Sequence, residues 1–163
     1  MKKPKVLYTL PSSLEKKRRI IPPVYLLITL VLMWLMHMVF PGFQYVREPA
    51  AYAGITGIFL GITMAAVSAG MFKKMGTGIE PFDEATVLVT AGFYRYTRNP
   101  MYMGMFLMLA GVAFLFGSIG VLLPVFLFVL IIRNNFVLGE ERFLEASFGQ
   151  QYLDYKSTVR RWL

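Results

Sequence analysis

Two pairs of polar residues in a largely apolar chain have the charges needed to hold a zwitterionic ligand. Arg98 and Asn99 stand directly before Pro100, which suits the first turn of a helix because its missing N–H costs nothing there. The free backbone N–H groups that follow would lie at the positive end of the helix dipole and could bind a carboxylate or phosphate. A capped helix with arginines at the lipid headgroups is the simpler alternative.

The second pair, Glu140 and Glu141, follows the last long apolar run of the chain. Carboxylates near a helix C-terminus are disfavoured by the dipole, so a cationic ligand or a nearby arginine would stabilise them. Arg133 lies one or two turns inside the same run, and ionisable groups at such depth usually face a cavity or a partner. The spacing of three and four residues predicts one helical face that carries Arg133, Val137, Glu140, Glu141 and Leu144. A surface ion-pair network is the alternative for this strip.

The two pairs complement each other in charge. A helix start with Arg98 and Asn99 can hold a carboxylate, and the two glutamates can hold an ammonium. An amino-acid-like ligand, which carries both groups, would therefore fit between them.

The composition places these residues in a membrane protein without metal chemistry. Of the 163 residues, 56% are hydrophobic and 16% are charged, whereas soluble globular domains contain about 25% charged residues. The length suits a single domain over residues 1–163. The absence of cysteine excludes disulfides, thiolate metal sites and a cysteine nucleophile, and one histidine disfavours a zinc or haem site. No metal site is therefore expected.

The elements that must position the two pairs are membrane-spanning helices. A span needs about 20 mostly apolar residues, and segments 22–40 and 51–71 meet this requirement. Small residues recur every four positions in the second segment, which predicts close packing against another helix of the same chain rather than a dimer face. This stripe consists of Ala53, Gly57, Gly61, Ala65 and Ala69.

The apolar stretch 101–138 is too long for one span, and Gly117 and Gly120 predict a turn within it. We expect a hairpin of two helices, roughly 101–116 and 119–138, and hence an all-α integral membrane protein with about four transmembrane helices. The remaining residues are typical of an amphipathic helix on the membrane surface, broken at Gly149. The domain then consists of a basic segment 1–21, two spans in 22–71, a loop 72–100, the hairpin 101–138 and an amphipathic tail 139–163.

Positive charge is distributed unevenly along these elements. Of the 17 Lys and Arg residues, sixteen fall before the first span, in the loop 72–100 or from Arg133 onward, and only Arg47 falls elsewhere. Because Lys and Arg accumulate in cytoplasmic loops, both termini and the loop are predicted to be cytoplasmic. The net charge of +8 is then a topology signal and an attraction to anionic headgroups, so membrane lipids and no nucleic acid are the expected partners. The compact build favours a bacterial inner membrane.

The segment 86–104 resembles the isoprenylcysteine carboxyl methyltransferase and phospholipid N-methyltransferase superfamily. It contains Leu-Val-Thr-Ala-Gly and then Arg-Asn-Pro-Met-Tyr-Met-Gly, where the family has Leu-Val-x-x-Gly and then Arg-His-Pro-x-Tyr-x-Gly or a variant with Asn-Pro. A helical hairpin, a Glu-Glu pair and Phe-Gly-x-x-Tyr-x-x-Tyr follow in the family. The corresponding residues here are Glu140, Glu141, Phe148, Gly149, Tyr152 and Tyr155.

The resemblance implies S-adenosylmethionine as cofactor, bound on the cytoplasmic side, and direct displacement of its methyl group by a lipophilic acceptor. An isoprenoid or lipid carboxylate or thiol, and a phospholipid amine, stay open as acceptors. Arg133 is the candidate catalytic residue, because it could orient an anionic acceptor. By analogy, the residues that bind the cofactor are Gly92, Tyr94, Arg98, Asn99, Pro100, Tyr102, Gly104, Glu140 and Glu141. Asn99 stands where the carboxyl methyltransferases have histidine, and it can donate a hydrogen bond but cannot titrate near neutral pH.

Two other functions are compatible with parts of the pattern. Membrane sterol reductases, which use NADPH, are similar in their C-terminal helices, but they carry an aspartate where this chain has Met105. A non-catalytic small membrane protein, acting as a scaffold, would form no cofactor cavity and would leave Glu140 and Glu141 exposed to solvent.

Overall fold

The structure, a computed structural model, describes residues 21–40, 49–75 and 87–163. Residues 1–20 of the basic segment, together with Arg47 and residues 76–86 of the predicted loop, lie outside these ranges. Every regular element of the described part is helical. The helices are α1 (Pro22–Val39), α2 (Ala53–Met75), α3 (Pro100–Phe116), α4 (Leu122–Ile132), α5 (Leu138–Phe148) and α6 (Gln150–Thr158).

Three stretches of helix in the described part are long and apolar enough to cross a membrane, namely Pro22–Val39, Ala50–Met75 and Ile119–Phe148. The α3 helix has 17 residues and therefore extends about 26 Å, slightly less than the roughly 30 Å of a hydrocarbon core. Large apolar side chains such as Leu27, Phe59 and Phe126 are exposed on the outer faces of the bundle, as a lipid environment permits. The prediction of an all-α integral membrane protein is confirmed.

The small residues of α2 pack against α3, as the four-residue spacing predicts. A Cβ atom added to Gly61 would lie 2.5 Å from the carbonyl oxygen of Gly104, and one added to Gly104 would lie 2.6 Å from the carbonyl oxygen of Gly61. Further along, Gly54 and Gly111 make a similarly close backbone approach. The two helices are therefore in contact through their backbones, and this contact fixes where α3 begins relative to the end of α2.

A tight turn joins α3 to α4 and confirms the helical hairpin. Gly117 adopts a left-handed φ of 61°, and its N–H donates to the carbonyl of Ala113 at 3.0 Å. The Ser118 hydroxyl donates to the carbonyl oxygen of Phe40 at 2.9 Å, which places the end of α1 beside the turn.

The fourth span continues beyond residue 138. A π-helical turn, Arg133–Val137, connects α4 directly to α5, and the helix ends at Gly149, where φ is 52°. The structure therefore has no boundary at residue 139, whereas it does have the predicted break at Gly149. The reason is that α5 extends the same helix after the π turn has shifted its register.

One end of the bundle gathers the elements that carry the polar residues. The core between α1, α3 and α4 includes Met33, Leu109 and Phe128. At the end opposite Gly117, α2 finishes and α3 starts, and the Phe72 ring of α2 lies 5.5 Å from the ring of Tyr94, which precedes α3. The α6 helix reaches the same place, because the Tyr155 hydroxyl donates to the carbonyl oxygen of Tyr94.

Candidate functional site

The segment before α3 is held in place by the residues that follow α6. The Thr97 hydroxyl and the Asn99 side-chain amide both donate to the carbonyl oxygen of Arg161, at 3.0 and 3.1 Å. The backbone N–H of Arg98 donates to the carbonyl oxygen of Arg160 at 3.0 Å. Asn99 therefore donates an amide N–H to the protein itself, whereas the sequence predicts that this amide serves a ligand.

The Arg98 guanidinium is buried and only partly paired. Its side chain is 9% exposed, and Nη2 lies 3.4 Å from Oε1 of Glu141. Nε and Nη1 are buried and have no hydrogen-bond partner among the residues that the structure describes. Because an unpaired buried donor is costly, these two nitrogens are suited to an anionic ligand group.

Glu141 is engaged by two arginines. Arg161 donates to it through Nε and Nη2, both at 2.8 Å, in a two-point arrangement typical of strong arginine–carboxylate pairs. Its carboxylate is 8% exposed and also lies beside Arg98. The hydrogen bonds that Arg161 donates to Glu141 raise the pKa of Arg161, so its guanidinium stays charged at physiological pH.

Glu140 has a different environment from its neighbour. It is half-buried, and the buried Tyr102 hydroxyl donates to its Oε1 at 2.6 Å. No ion pair to Glu140 is found within the described ranges. The sequence predicts that both glutamates face one cation. In the structure, Glu141 is instead neutralised by two arginines, whereas Glu140 has no ion-pair partner among the described residues. Consecutive residues of a helix point about 100° apart, which accounts for the difference.

Aromatic side chains form the remaining wall. The Tyr155 hydroxyl donates to the carbonyl oxygen of Tyr94 at 2.7 Å, and the ring centroids of Tyr152 and Tyr155 are 6.2 Å apart. Burial, with a smaller contribution from Glu140, raises the pKa of Tyr94, and burial also raises the pKa of Tyr155. These hydroxyls therefore stay neutral, and the wall is uncharged.

These groups line a cavity of about 80 Å³ that is open to the surface. Six of the residues predicted to bind a cofactor line it, namely Tyr94, Arg98, Asn99, Tyr102, Glu140 and Glu141. Sequence reasoning missed Phe72, Val89, Leu144, Tyr152 and Tyr155 as lining residues. The spacing of Tyr152 and Tyr155 after the Gly149 break was the available signal, because residues three apart share a helical face.

Three other predicted residues support the site without lining the cavity. Gly92 adopts a φ of 61°, and a Cβ there would lie 2.5 Å from Sδ of Met71, so this glycine permits a turn against α2. Pro100 is buried and occupies the first turn of α3, as predicted. Gly104 contacts Gly61 through the backbone, and its close approach serves helix packing.

Arg133 is placed away from the cavity. Its side chain is exposed and donates through Nη1 to Oδ1 of Asn134 at 3.1 Å. The predicted shared face assumed a regular α-helix, but the π turn that starts at Arg133 changes the angle between this residue and Glu140. The structure therefore does not bring Arg133 together with the glutamates.

Comparison with known proteins identifies the family. A family model described as phospholipid methyltransferase matches residues 49–151. The chain belongs to this family. The resemblance found from the Arg-Asn-Pro segment and the Glu-Glu pair is thus confirmed, and the protein is a membrane methyltransferase.

Two relatives of this family member were found among curated proteins. A protein-S-isoprenylcysteine O-methyltransferase from Schizosaccharomyces pombe is 34% identical over 76 residues, which cover 45% of this chain and 31% of the yeast protein. An uncharacterized protein from Haemophilus influenzae is 38% identical over 63 residues, which cover 39% of this chain and all of that protein.

The residues that the family model matches include only part of the aromatic wall. Residue 151 is the last one matched, so Tyr152, Tyr155 and Arg161 lie beyond it although they contact the site. The matched part contains Arg98, Glu140 and the other predicted lining residues.

Proposed function

We propose that this protein transfers a methyl group from S-adenosylmethionine to a lipophilic acceptor. The observation that carries the proposal is the cavity, in which Nε and Nη1 of Arg98 have no hydrogen-bond partner, and Glu140 has no ion-pair partner, among the described residues. The amino-acid part of S-adenosylmethionine has one carboxylate and one ammonium, which match these two groups. Membership of a methyltransferase family supports the same cofactor.

The residues of the cavity fit each part of this cofactor. Arg98 would bind its carboxylate, and Glu140, held by the Tyr102 hydroxyl, would bind its ammonium. The uncharged aromatic wall of Tyr94, Tyr152 and Phe72 offers faces for the adenine ring.

In this mechanism the protein positions the reactants and excludes water. S-adenosylmethionine supplies a methyl group on a positively charged sulfur. Arg98 and Glu140 hold the cofactor from two sides, and the buried tyrosines keep water from the reacting atoms. A carboxylate or thiolate acceptor needs no general base, whereas an amine acceptor has to arrive neutral. Arg133 has no part in these steps, because its side chain is exposed outside the cavity.

An apolar cavity adjoining the first supports a lipophilic acceptor. It has a volume of about 190 Å³ and lies between α3 and α4, and Tyr102 lines both cavities. Its remaining walls are entirely apolar except for the indole N–H, which suits a hydrocarbon chain. These walls are Met103, Phe106, Phe128, Val129, Ile132 and Trp162. The acceptor head could be an isoprenoid or lipid carboxylate or thiol, or a phospholipid amine.

We further propose that the protein lies in the inner membrane of a bacterial cell and that its site faces the cytoplasm. Lys73, Lys74, Arg95 and Arg98 lie at the same end of the bundle as the cavity. Positive residues accumulate on the cytoplasmic side. One of the two relatives comes from a bacterium.

Calorimetric titration of the detergent-purified protein tests this function. S-adenosylmethionine should bind the wild type, and Arg98→Gln should weaken binding strongly. Arg133→Gln is the matched control, because it also removes an arginine charge but leaves the cavity intact. Absence of S-adenosylmethionine binding by folded wild-type protein would overturn the proposal. Binding of NADPH would then favour a reductase, and binding of neither would favour a non-catalytic protein.

A further inference from the structure

The segment that follows α6, Val159–Leu163, reaches the site although it lies beyond the family match. We infer that Arg161 is a positioning residue that neutralises Glu141 and so leaves the Arg98 guanidinium available for the carboxylate of the ligand. This inference rests on the proposed function, since it concerns the same cavity.

The backbone of this segment fixes the position of the Arg161 side chain. The carbonyl oxygens of Arg160 and Arg161 accept three hydrogen bonds from the Thr97–Asn99 segment. Thr97 is fully buried and Asn99 nearly so, which keeps these bonds away from water. Arg161 is therefore held beside Glu141 and close to Arg98, although 63 positions separate Arg161 from Arg98 in the sequence.

The distances show which arginine Glu141 prefers. Arg161 makes two hydrogen bonds to the carboxylate at 2.8 Å, whereas the nearest approach of Arg98 is 3.4 Å. One carboxylate thus stands between two guanidinium groups, and it is satisfied mainly by Arg161. The local charge of Arg98, Arg161 and Glu141 is +1, and the unpaired N–H groups that express it belong to Arg98.

Removing Arg161 would change the partner of Arg98. A buried carboxylate without a partner is strongly disfavoured, and Arg98 already lies beside Glu141. Arg98 would then turn its free donors onto Glu141, and the local charge would fall to zero. The cavity would lose both the donors and the positive charge that an anionic ligand group needs.

A purely structural role for Arg161 makes a different prediction about Glu141. If Arg161 only ties the segment to α5, removal of Glu141 as well adds a second loss or changes nothing. If Arg161 acts through Glu141 on Arg98, removal of the carboxylate frees Arg98 again. A second substitution at Glu141 therefore separates the two roles by the sign of its effect.

The experiment compares wild type, Arg161→Gln and the double variant Arg161→Gln/Glu141→Gln in titrations with S-adenosylmethionine. We expect Arg161→Gln to lower affinity at least tenfold and the double variant to recover most of that loss. Arg160→Gln is the matched control, because the Arg160 side chain is exposed and, within the described ranges, the site uses only its backbone carbonyl. Wild-type affinity in Arg161→Gln, or a double variant no better than the single one, would overturn the inference.

A ligand-free measurement keeps the inference separate from the proposed function. In nitrogen-15 NMR, the Arg98 Nε–H signal should shift and exchange more slowly in Arg161→Gln, and should return towards wild type in the double variant. An unchanged Arg98 signal in Arg161→Gln would refute the change of partner, even if the wild type bound no S-adenosylmethionine. Failure of wild-type binding alone would contradict only the proposed function.

Discussion

Two adjacent glutamates have different partners at the scale of single residues. Glu141 is enclosed by Arg98 and Arg161, whereas Glu140 accepts one hydrogen bond from Tyr102 and has no ion-pair partner in the described part of the chain. The difference arises because neighbouring positions on a helix point in different directions. The roles of Glu140 and Glu141 therefore depend more on the partners of each side chain in the fold than on the charge that the two residues share.

The role of Glu140 can be tested by removing its charge without removing its hydrogen bond. In Glu140→Gln the amide oxygen can still accept from the Tyr102 hydroxyl, so the hydrogen bond that links α3 to α5 should persist. The ammonium of the ligand would lose a charged partner, a contact worth about 1.5–3 kcal/mol, or roughly tenfold to a hundredfold in affinity. Titration with S-adenosylmethionine and a thermal melt measure both effects.

Tyr102→Phe serves as the companion variant at this position. It keeps the ring that lines both cavities but removes the donor to Glu140. We expect a smaller loss of affinity than in Glu140→Gln, because the carboxylate keeps its charge. A larger loss in Tyr102→Phe would contradict the assignment of Glu140 to the ammonium.

At the scale of elements, the contact between α2 and α3 positions the start of α3. Gly61 and Gly104 face each other so closely that a single added methyl group would meet a backbone carbonyl. Because Arg98 and Tyr102 flank the first turn of α3, any separation of the helices would also displace the cavity.

Gly104→Ala should therefore affect stability and binding together. Overpacking of this kind costs about 1–3 kcal/mol, and α3 can relieve it only by moving away from α2. Gly70→Ala is the matched control, because nothing lies within 4 Å of its Cβ position, and alanine there favours the helix by about 0.5–1 kcal/mol. In thermal melts, Gly104→Ala should lower the midpoint and Gly70→Ala should raise it slightly. In cofactor titrations, only Gly104→Ala should weaken binding. Equal thermal midpoints would contradict the backbone contact.

The π turn between α4 and α5 sets the direction in which the glutamates point. Deleting Asn134, which is exposed, would allow a regular α-helix through this region. The five residues of the π turn rotate the helix by about as much as four α-helical residues would, so Glu140 should keep its direction after the deletion. We expect retained cofactor binding with unchanged helix content by circular dichroism. Loss of cofactor binding would show that the π turn does more than take up one extra residue.

The elements also show why some features could be predicted from the sequence and others could not. Apolar length, the Gly117 turn and the small-residue stripe are local patterns, and the structure contains all three. The position of Arg133 could not be predicted, because a π turn has no simple sequence signature and changes every later direction. Arg161 was missed because its partner Glu141 is 20 positions away and its backbone partners lie more than 60 positions away.

At the scale of the whole molecule, charge and cavity lie at one end of an apolar bundle. The opposite end carries the Gly117 turn and the start of α2. Broad apolar faces between the ends, exposed in the isolated chain, are suited to lipid. A cofactor dissolved in the cytoplasm and an acceptor dissolved in the bilayer could then meet at the cytoplasmic surface, and this arrangement requires one defined orientation in the membrane.

Cysteine labelling can determine that orientation, because the chain contains no cysteine of its own. Ser157→Cys lies in α6 near the cavity, and Ala50→Cys lies at the opposite end, both at exposed positions. In intact bacterial spheroplasts, a membrane-impermeant maleimide should label Ala50→Cys and should reach Ser157→Cys only after permeabilisation. The reverse pattern would place the cavity outside the cytoplasm, where S-adenosylmethionine made inside the cell could not reach it, and would contradict both the charge-based orientation and the proposed cofactor.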